Sequence, residues 1–266
     1  MKKIKIFTVV LFICSTLAFA GVRLYESVMT DHQPPVISGG EEVIQISVAD
    51  TEDRILEGMT AEDDRDGDVT DSLVVQAISG FNEDGTRTVT FAAVDRSGNV
   101  GYGTRLISYV DYQAPVFALS APLRFAMGSN FNICSGISAS SSLDSDLTNN
   151  ITYTLDRIIS DSSPGTYQVE FRVMDSAGHS SYLTTELEVY DPAQERIEVT
   201  LNTYLLYLHV NDPFDPAGYY AGSDREGALE IQSTVNMAVP GTYYVDYLVS
   251  DGNNTGKSRM VVVVSE

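Results

Sequence analysis

Residues 85–99 read Gly-Thr-Arg-Thr-Val-Thr-Phe-Ala-Ala-Val-Asp-Arg-Ser-Gly-Asn. Val89, Phe91 and Ala93 are apolar at alternate positions, and this period of two places one face of a β-strand on a core. The run ends at Asp95, and the Ser-Gly-Asn that follows is typical of a tight turn. A further strand is predicted after that turn, at residues 105–110. The pattern therefore predicts a β-hairpin.

The same pattern occurs twice more, at residues 165–179 and 241–254, with a further predicted strand after each, at 183–189 and 258–264. The segments that precede the hairpins also repeat: Asp-His-Gln-Pro-Pro-Val at 31–36 matches Asp-Tyr-Gln-Ala-Pro-Val at 111–116, and Asp191-Pro192 marks a third start. Proline fixes φ and removes a backbone donor, so it separates one domain's last strand from the next domain.

The repeated units start at residues 31, 111 and 191, and each contains several short alternating strands. With no helix predicted after the N-terminal segment, they favour an all-β chain of tandem Ig-like β-sandwiches. The predicted divisions are a signal or signal-anchor segment with a short stalk (1–32) and three Ig-like domains (33–111, 112–191 and a divergent 192–266).

The N-terminus has the pattern of an export signal. Three lysines within the first five residues precede an uncharged, mostly apolar run at residues 6–22. Ala18-Phe19-Ala20 before Gly21 fits a cleavage site, whereas the length of the run is at the lower limit for a membrane span. Both outcomes stay open, and each predicts an extracellular location, anchored in the membrane or secreted.

Composition excludes several classes of function. A formal net charge of −21 repels a phosphate backbone, so nucleic acid is not a predicted partner. The two cysteines, Cys14 and Cys134, lie one in the apolar run and one in the second predicted domain, and they predict no disulfide within a domain. The three histidines occupy unrelated repeat positions without paired cysteines, and no Gly-x-Ser-x-Gly occurs. The sequence predicts no enzyme and no zinc site.

Several motifs carry a family resemblance: the proline-containing starts, Gly-Met-Thr-Ala at 58–61, Asp-Gly-Asp-Val-Thr at 66–70, and Gly-Thr…Asp-x-x-Gly-Asn at 85–99. They resemble the bacterial surface Ig-like domains found in a pesticidal crystal protein and in many Gram-positive surface proteins. The resemblance covers residues 33–111 fully, 112–191 less closely, and the last domain mainly through its hairpin. It implies an Ig-like sandwich in a modular, extracellular, adhesive or spacer protein without catalytic activity.

One acidic loop is the candidate site. It places four carboxylates within six residues: Asp63, Asp64, Asp66 and Asp68. Hard divalent cations prefer oxygen ligands of this kind, so one hypothesis is calcium, although the spacing is not that of an EF-hand.

Turn formation is the alternative hypothesis, since aspartate side chains hydrogen-bond their own backbone at turns. The corresponding positions are Ser141, Ser142, Asp144 and Asp146 in the second predicted domain and Ser223, Asp224, Glu226 and Ala228 in the third. Because the charge decreases along the chain, the repeats favour turns in all three domains and at most one ion site, in the first.

The sequence thus predicts a non-enzymatic cell-surface or secreted protein that acts as an adhesive or spacer module projecting from the cell. The alternative is a specific module for a glycan or protein partner, with the third domain as the binding end. Tyrosines of that domain, Tyr204, Tyr207, Tyr219 and Tyr220, either form a ligand-facing patch or pack in the core, and core packing is the favoured interpretation.

Overall fold

The structure, a computed structural model, describes residues 2–40, 42–160 and 162–266. It divides the chain into two compact units, Met1–Val110 (the first unit) and Asp111–Glu266 (the second unit). Apart from an N-terminal apolar helix and a few helical segments of three to five residues, the architecture is all-β and consists of Ig-like β-sandwiches, as the strand periodicity predicts. The division into three domains stays a prediction.

Helix α1 (Lys2–Met29) opens the first unit and contains an apolar window, Ile6–Tyr25, with a mean hydropathy of 2.0. Its 20 residues measure about 30 Å at 1.5 Å per residue, which matches the hydrocarbon thickness of a bilayer. The window has no buried residues. The helix therefore fits either a membrane anchor or a signal sequence.

The rest of the first unit is one sandwich. Its elements are β1 (Val36–Ser38), β2 (Ile44–Ile46), α2 (Glu52–Leu56), β3 (Thr60–Asp63), β4 (Gly67–Asp68), β5 (Val74–Phe81), β6 (Arg87–Val94) and β7 (Val100–Tyr109). The strands form a three-stranded sheet, β1-β3-β4, and a four-stranded sheet, β2-β7-β6-β5. The core joins both sheets, since Ala61 of β3 belongs to one cluster with Val89 and Phe91 of β6.

The five-residue helix α2 was not predicted by the sequence pattern. Acidic residues Glu52 and Asp53 occupy its first turn and Arg54 its last, an order that complements the helix dipole. Ile55 is buried and attaches the helix to the core. Its short length explains why periodicity did not reveal it.

The second unit contains two further sets of strands. The first set, here the proximal sandwich, comprises β8 (Val116–Leu119), β9 (Arg124–Ala126), β10 (Ile137–Ser140), β11 (Thr152–Leu155), β12 (Gly165–Met174) and β13 (Ser180–Tyr190). The second set, the distal sandwich, comprises β14 (Val199–Leu201), β15 (Leu205–His209), β16 (Tyr220–Ser223), β17 (Ala228–Ser233), β18 (Gly241–Ser250) and β19 (Thr255–Ser265).

One topology occurs three times. The four-stranded sheets run β2-β7-β6-β5, β9-β13-β12-β11 and β15-β19-β18-β17, each with one parallel pair at its start. Each predicted hairpin is the antiparallel pair at the centre: β6-β7, β12-β13 and β18-β19. The hairpin predictions are confirmed, and the sequence repeat corresponds to a structural one.

Candidate functional site

Three buried aspartates of the first unit converge at one end of its sandwich. Asp31 lies in the segment before β1, Asp63 is the last residue of β3, and Asp95 follows the last residue of β6. Carboxylate oxygens from the three residues lie within 4.8 Å of one another. The residues are only 5%, 7% and 6% exposed, so solvent does little to screen their charges.

Backbone amides hold one oxygen of each of two carboxylates. Oδ1 of Asp31 accepts the Gln33 amide at 2.9 Å, and Oδ1 of Asp63 accepts the Arg65 and Asp66 amides at 3.0 and 2.9 Å. The second oxygen, Oδ2, is buried in both residues and has no hydrogen-bond partner. Buried polar atoms in proteins are nearly always hydrogen-bonded, so two such oxygens in one cluster are unusual.

Asn99 links Asp95 to Asp31. Its amide donates to Oδ1 of Asp95 and its Nδ2 to Oδ2 of Asp95, both at 2.7 Å, and Nδ2 also lies 3.2 Å from the backbone oxygen of Asp31. Burial acts to raise the pKa of Asp95, but the hydrogen bonds from Asn99 and from neighbouring backbone amides hold that pKa below its usual value. Asp95 is therefore an anion at neutral pH.

The other aspartates of the predicted calcium loop have separate contacts. Asp64 is exposed. Oδ2 of Asp66 accepts the Arg96 amide at 2.8 Å, and Oδ1 lies 3.7 Å from the Arg96 guanidinium. Asp68 accepts the Thr70 amide at 2.9 Å, and the hydrogen bonds to Thr70 lower the pKa of Asp68. The structure thus groups Asp63 with two residues from outside the loop, and a calcium site made by all four loop aspartates remains a prediction.

The second unit has different chemistry at the equivalent positions. By the sequence repeat, Asp31, Asp63 and Asp95 correspond to Asp111, Ser141 and Asp175. Asp175 is buried, and its Oδ2 accepts the Tyr112 hydroxyl at 2.6 Å. Among the described residues of the proximal sandwich, serine thus replaces the middle carboxylate of the repeat, and a tyrosine hydroxyl contacts Asp175.

Sequence reasoning missed Asp31 and assigned Asp95 only a turn. The turn is present, because the Gly98 amide donates to the Asp95 backbone oxygen and the Asn99 amide to its side chain. A signal for both residues existed, since an aspartate recurs at the start of the repeat and after the central strand. What it lacked was any indication that these positions meet Asp63.

A network of charged side chains lies between the proximal and distal sandwiches of the second unit. Arg124 contacts Glu188 at 3.0 Å and Glu195 at 2.7 Å, and its side chain is only 5% exposed. Lys257 of β19 lies 2.9 Å from Glu188. Sequence-distant residues 124, 188 and 257 thus form one connected set.

Arg259 extends the network from the distal sandwich. It makes a bidentate pair with Asp246 at 2.7 and 2.9 Å and reaches Glu186 of β13 at 2.7 Å. Its guanidinium also lies over the Tyr244 ring, 4.9 Å from the centroid. Planar bidentate contacts of this kind fix orientation as well as proximity.

Apolar packing continues across the same boundary. Leu205 of β15 and Val261 of β19 belong to the buried cluster of the proximal sandwich, which includes Phe117 and Phe171. Tyr204 and Tyr244 pack against that cluster. Residues of the distal sandwich therefore pack into the proximal core beside the charged network, while the distal sandwich keeps a core cluster of its own.

The tyrosines of the distal sandwich mostly pack inward. Tyr204, Tyr219 and Tyr220 are partly buried against its core, while Tyr207 is 44% exposed. This placement agrees with core packing for three of the four. Cys134 is partly buried against the proximal core, and burial raises the pKa of its thiol, as expected of an unreactive apolar residue.

Comparisons with known proteins give distant similarity. No family model matches the sequence. It is 28% identical over 171 residues to an uncharacterized 81.3 kDa protein of Acholeplasma phage L2, covering 62% of this chain and 23% of that protein. It is 24% identical over 213 residues to the pesticidal crystal protein Cry22Aa of Bacillus thuringiensis, covering 78% of this chain and 27% of that protein. The chain spans about a quarter of the length of these relatives.

Solved structures give the same general result. Drosophila N-cadherin EC1-4 matches with a TM-score of 0.28 at 12% identity, covering 84% of this chain and 73% of that one. The fibronectin(III)-like modules of Clostridium thermocellum CbhA match with a TM-score of 0.23 at 16% identity, covering 56% and 94%. Scores this low say nothing about function.

Proposed function

We propose that this chain is a non-enzymatic module, exported or anchored by its N-terminal helix, whose tandem Ig-like sandwiches hold a distal surface away from the cell. We further propose that its domains are of the bacterial surface type, an assignment supported by the motifs at 58–70 and 85–99 and by the similarity to Cry22Aa. A helix of spanning length followed by β-sandwiches is the arrangement that such a tether requires.

The joint inside the second unit carries the spacer proposal. Two ion pairs cross from the proximal to the distal sandwich, Lys257–Glu188 and Arg259–Glu186. A third, Arg124–Glu195, joins the proximal sandwich to the segment that leads into the distal one. Breaking such a pair leaves a partly buried charge without one of its partners, so each resists rotation of one sandwich on the other. The packing of Leu205 and Val261 into the proximal core adds to this resistance. A rigid joint transmits length and force, whereas a flexible one does not.

Localisation tests the tether. An epitope after Glu266 should be removed by protease added to intact cells, and the chain should be found in the membrane fraction or the medium. N-terminal sequencing separates the two forms: a mature chain that starts at Gly21 is secreted, and an intact N-terminus is anchored. A protease-resistant epitope in the cytoplasmic fraction would contradict the proposal.

Binding assays test the adhesive component. A chain of residues 31–266, which lacks the N-terminal helix, is applied to glycan arrays and to surface proteins of neighbouring cells. The Arg259→Met variant, which removes the ion pair with Glu186 across the joint, is assayed alongside it. Saturable binding would favour the glycan or protein module, whose binding end the sequence places in the distal sandwich. An absence of any saturable partner would leave the spacer as the function.

A further inference from the structure

We propose that Asp31, Asp63 and Asp95 bind a divalent cation, and that the fitting ion is calcium. The three carboxylates come from three separate segments of the first unit, each spaced 32 residues from the next, and the sandwich brings them to within 4.8 Å. In the part of the chain that the structure describes, no lysine or arginine forms an ion pair with any of the three.

Two independent features of the cluster call for a cation. First, like charges at this separation repel one another, and burial strengthens the repulsion. Second, Oδ2 of Asp31 and Oδ2 of Asp63 are buried without a hydrogen-bond partner, although Oδ1 of each is held by backbone amides. A single bound cation offsets the repulsion and supplies a partner for both oxygens.

The ligand set indicates which cation. All three side chains offer oxygen alone, which suits hard ions, whereas zinc sites combine any carboxylates with histidine or cysteine. Calcium–oxygen distances are about 2.4 Å, so two oxygens on opposite sides of the ion are about 4.8 Å apart. The oxygens of the cluster lie no farther apart than this, so one calcium ion can contact all three carboxylates. Magnesium requires shorter distances and near-octahedral geometry, and separate chain segments meet that requirement less easily.

The backbone organises the site in advance. The amides of Arg65 and Asp66 orient the Asp63 carboxylate, and Asn99 connects Asp95 to the backbone of Asp31. In the second unit, Ser141 stands at the position of Asp63, and the Tyr112 hydroxyl donates to Asp175. A neutral donor there does what the cation does in the first unit.

Calorimetric titration of the full chain in detergent micelles tests the site, with calcium chloride as the probe at physiological ionic strength. One calcium per chain should bind with a Kd on the order of 10⁻⁴–10⁻³ M, the range of extracellular modules, and magnesium should bind more weakly. Calcium should also raise the melting temperature relative to chelator. The proposal would be overturned if calcium concentrations well above that Kd range gave neither saturable heat nor a shift in melting temperature.

Variants locate the ion. Asp63→Asn should lower calcium affinity by at least about tenfold, since affinity follows the number of charged ligands. Asp64→Asn removes an exposed carboxylate from the same loop and should leave affinity unchanged. If Asp63→Asn fails to fold, Asp31→Asn replaces it, because Asp31 lies outside every strand. If Asp64→Asn abolished binding while Asp63→Asn and Asp31→Asn retained it, the ion would belong to the exposed loop and the proposal would fail.

Discussion

The Tyr112 hydroxyl donates a 2.6 Å hydrogen bond to Oδ2 of Asp175, a carboxylate that is only 4% exposed. Both residues have counterparts 80 positions earlier, His32 and Asp95, but His32 is exposed. The repeat therefore keeps a buried aspartate after the first strand of the first two hairpins, Asp95 and Asp175, and changes the residue that contacts it. Asp251, which follows the first strand of the third hairpin, is exposed.

Tyr112→Phe should destabilise the second unit by about 1.5–3 kcal/mol, the usual contribution of a hydrogen bond to a charged group. The ring is retained, so the loss reports the hydroxyl. Urea denaturation of the full chain measures it. Tyr182→Phe is the matched control, because Tyr182 is 58% exposed in the same sandwich. An equal effect in the two variants would contradict the assigned hydrogen bond.

Arg124→Met should cost about 3–5 kcal/mol of unfolding free energy, because Glu188 and Glu195 lose their buried partner. Arg225→Met is the control: its pair with Asp224 is exposed and 3.9 Å long, and such pairs are worth about 0–1 kcal/mol. Urea midpoints of both variants give the comparison. A loss below about 1 kcal/mol for Arg124→Met would show that the network stabilises nothing.

Acid should weaken the second unit through Glu188 and Asp246. Burial acts to raise the pKa of each carboxyl, but Arg124 and Lys257 at Glu188, and Arg259 and Lys257 at Asp246, outweigh it and lower both pKa values. A lowered folded-state pKa means that the stabilisation is complete above the ordinary values, 4.5 and 3.8, and is lost as the pH falls through the folded-state values.

Glu188→Gln isolates this contribution, since the amide does not titrate. Melting temperatures recorded from neutral pH down to acid should fall less steeply in Glu188→Gln than in the wild type. Glu226→Gln, at an exposed position, should follow the wild-type curve. Parallel curves for Glu188→Gln and the wild type would contradict the linkage.

Gly101→Ala should destabilise the first unit by about 1–3 kcal/mol or more, the usual cost of overpacking. An added Cβ would lie 1.9 Å from the Pro35 carbonyl oxygen, so β7 and the segment before β1 would have to move apart. Gly256 occupies the equivalent place in the distal sandwich, 2.0 Å from the Ile197 oxygen. Gly218→Ala meets nothing within 4 Å and serves as the neutral control in thermal unfolding. A stable Gly101→Ala chain would mean that the two segments are not closely packed.

Local sequence patterns were sufficient to predict the strands of the three hairpins. The alternation of Val89, Phe91 and Ala93 is a property of neighbouring residues, and all three are buried on one face of β6. The turn after Asp95 and the apolar helix near the N-terminus are equally local. The repeat then extended each prediction to the later hairpins, because the same sequence pattern has the same preferred backbone.

The sites depended on the fold. Asp31, Asp63 and Asp95 are far apart in sequence, and no periodicity indicates that the ends of β3 and β6 meet the segment before β1. Arg124 likewise meets the Lys257 backbone across 133 positions. The sequence by itself determined which face of the first strand of each hairpin is buried, since that follows from side-chain alternation. Only the tertiary structure decided which charges share a buried space, because Coulomb interactions depend on distance through space and not along the chain.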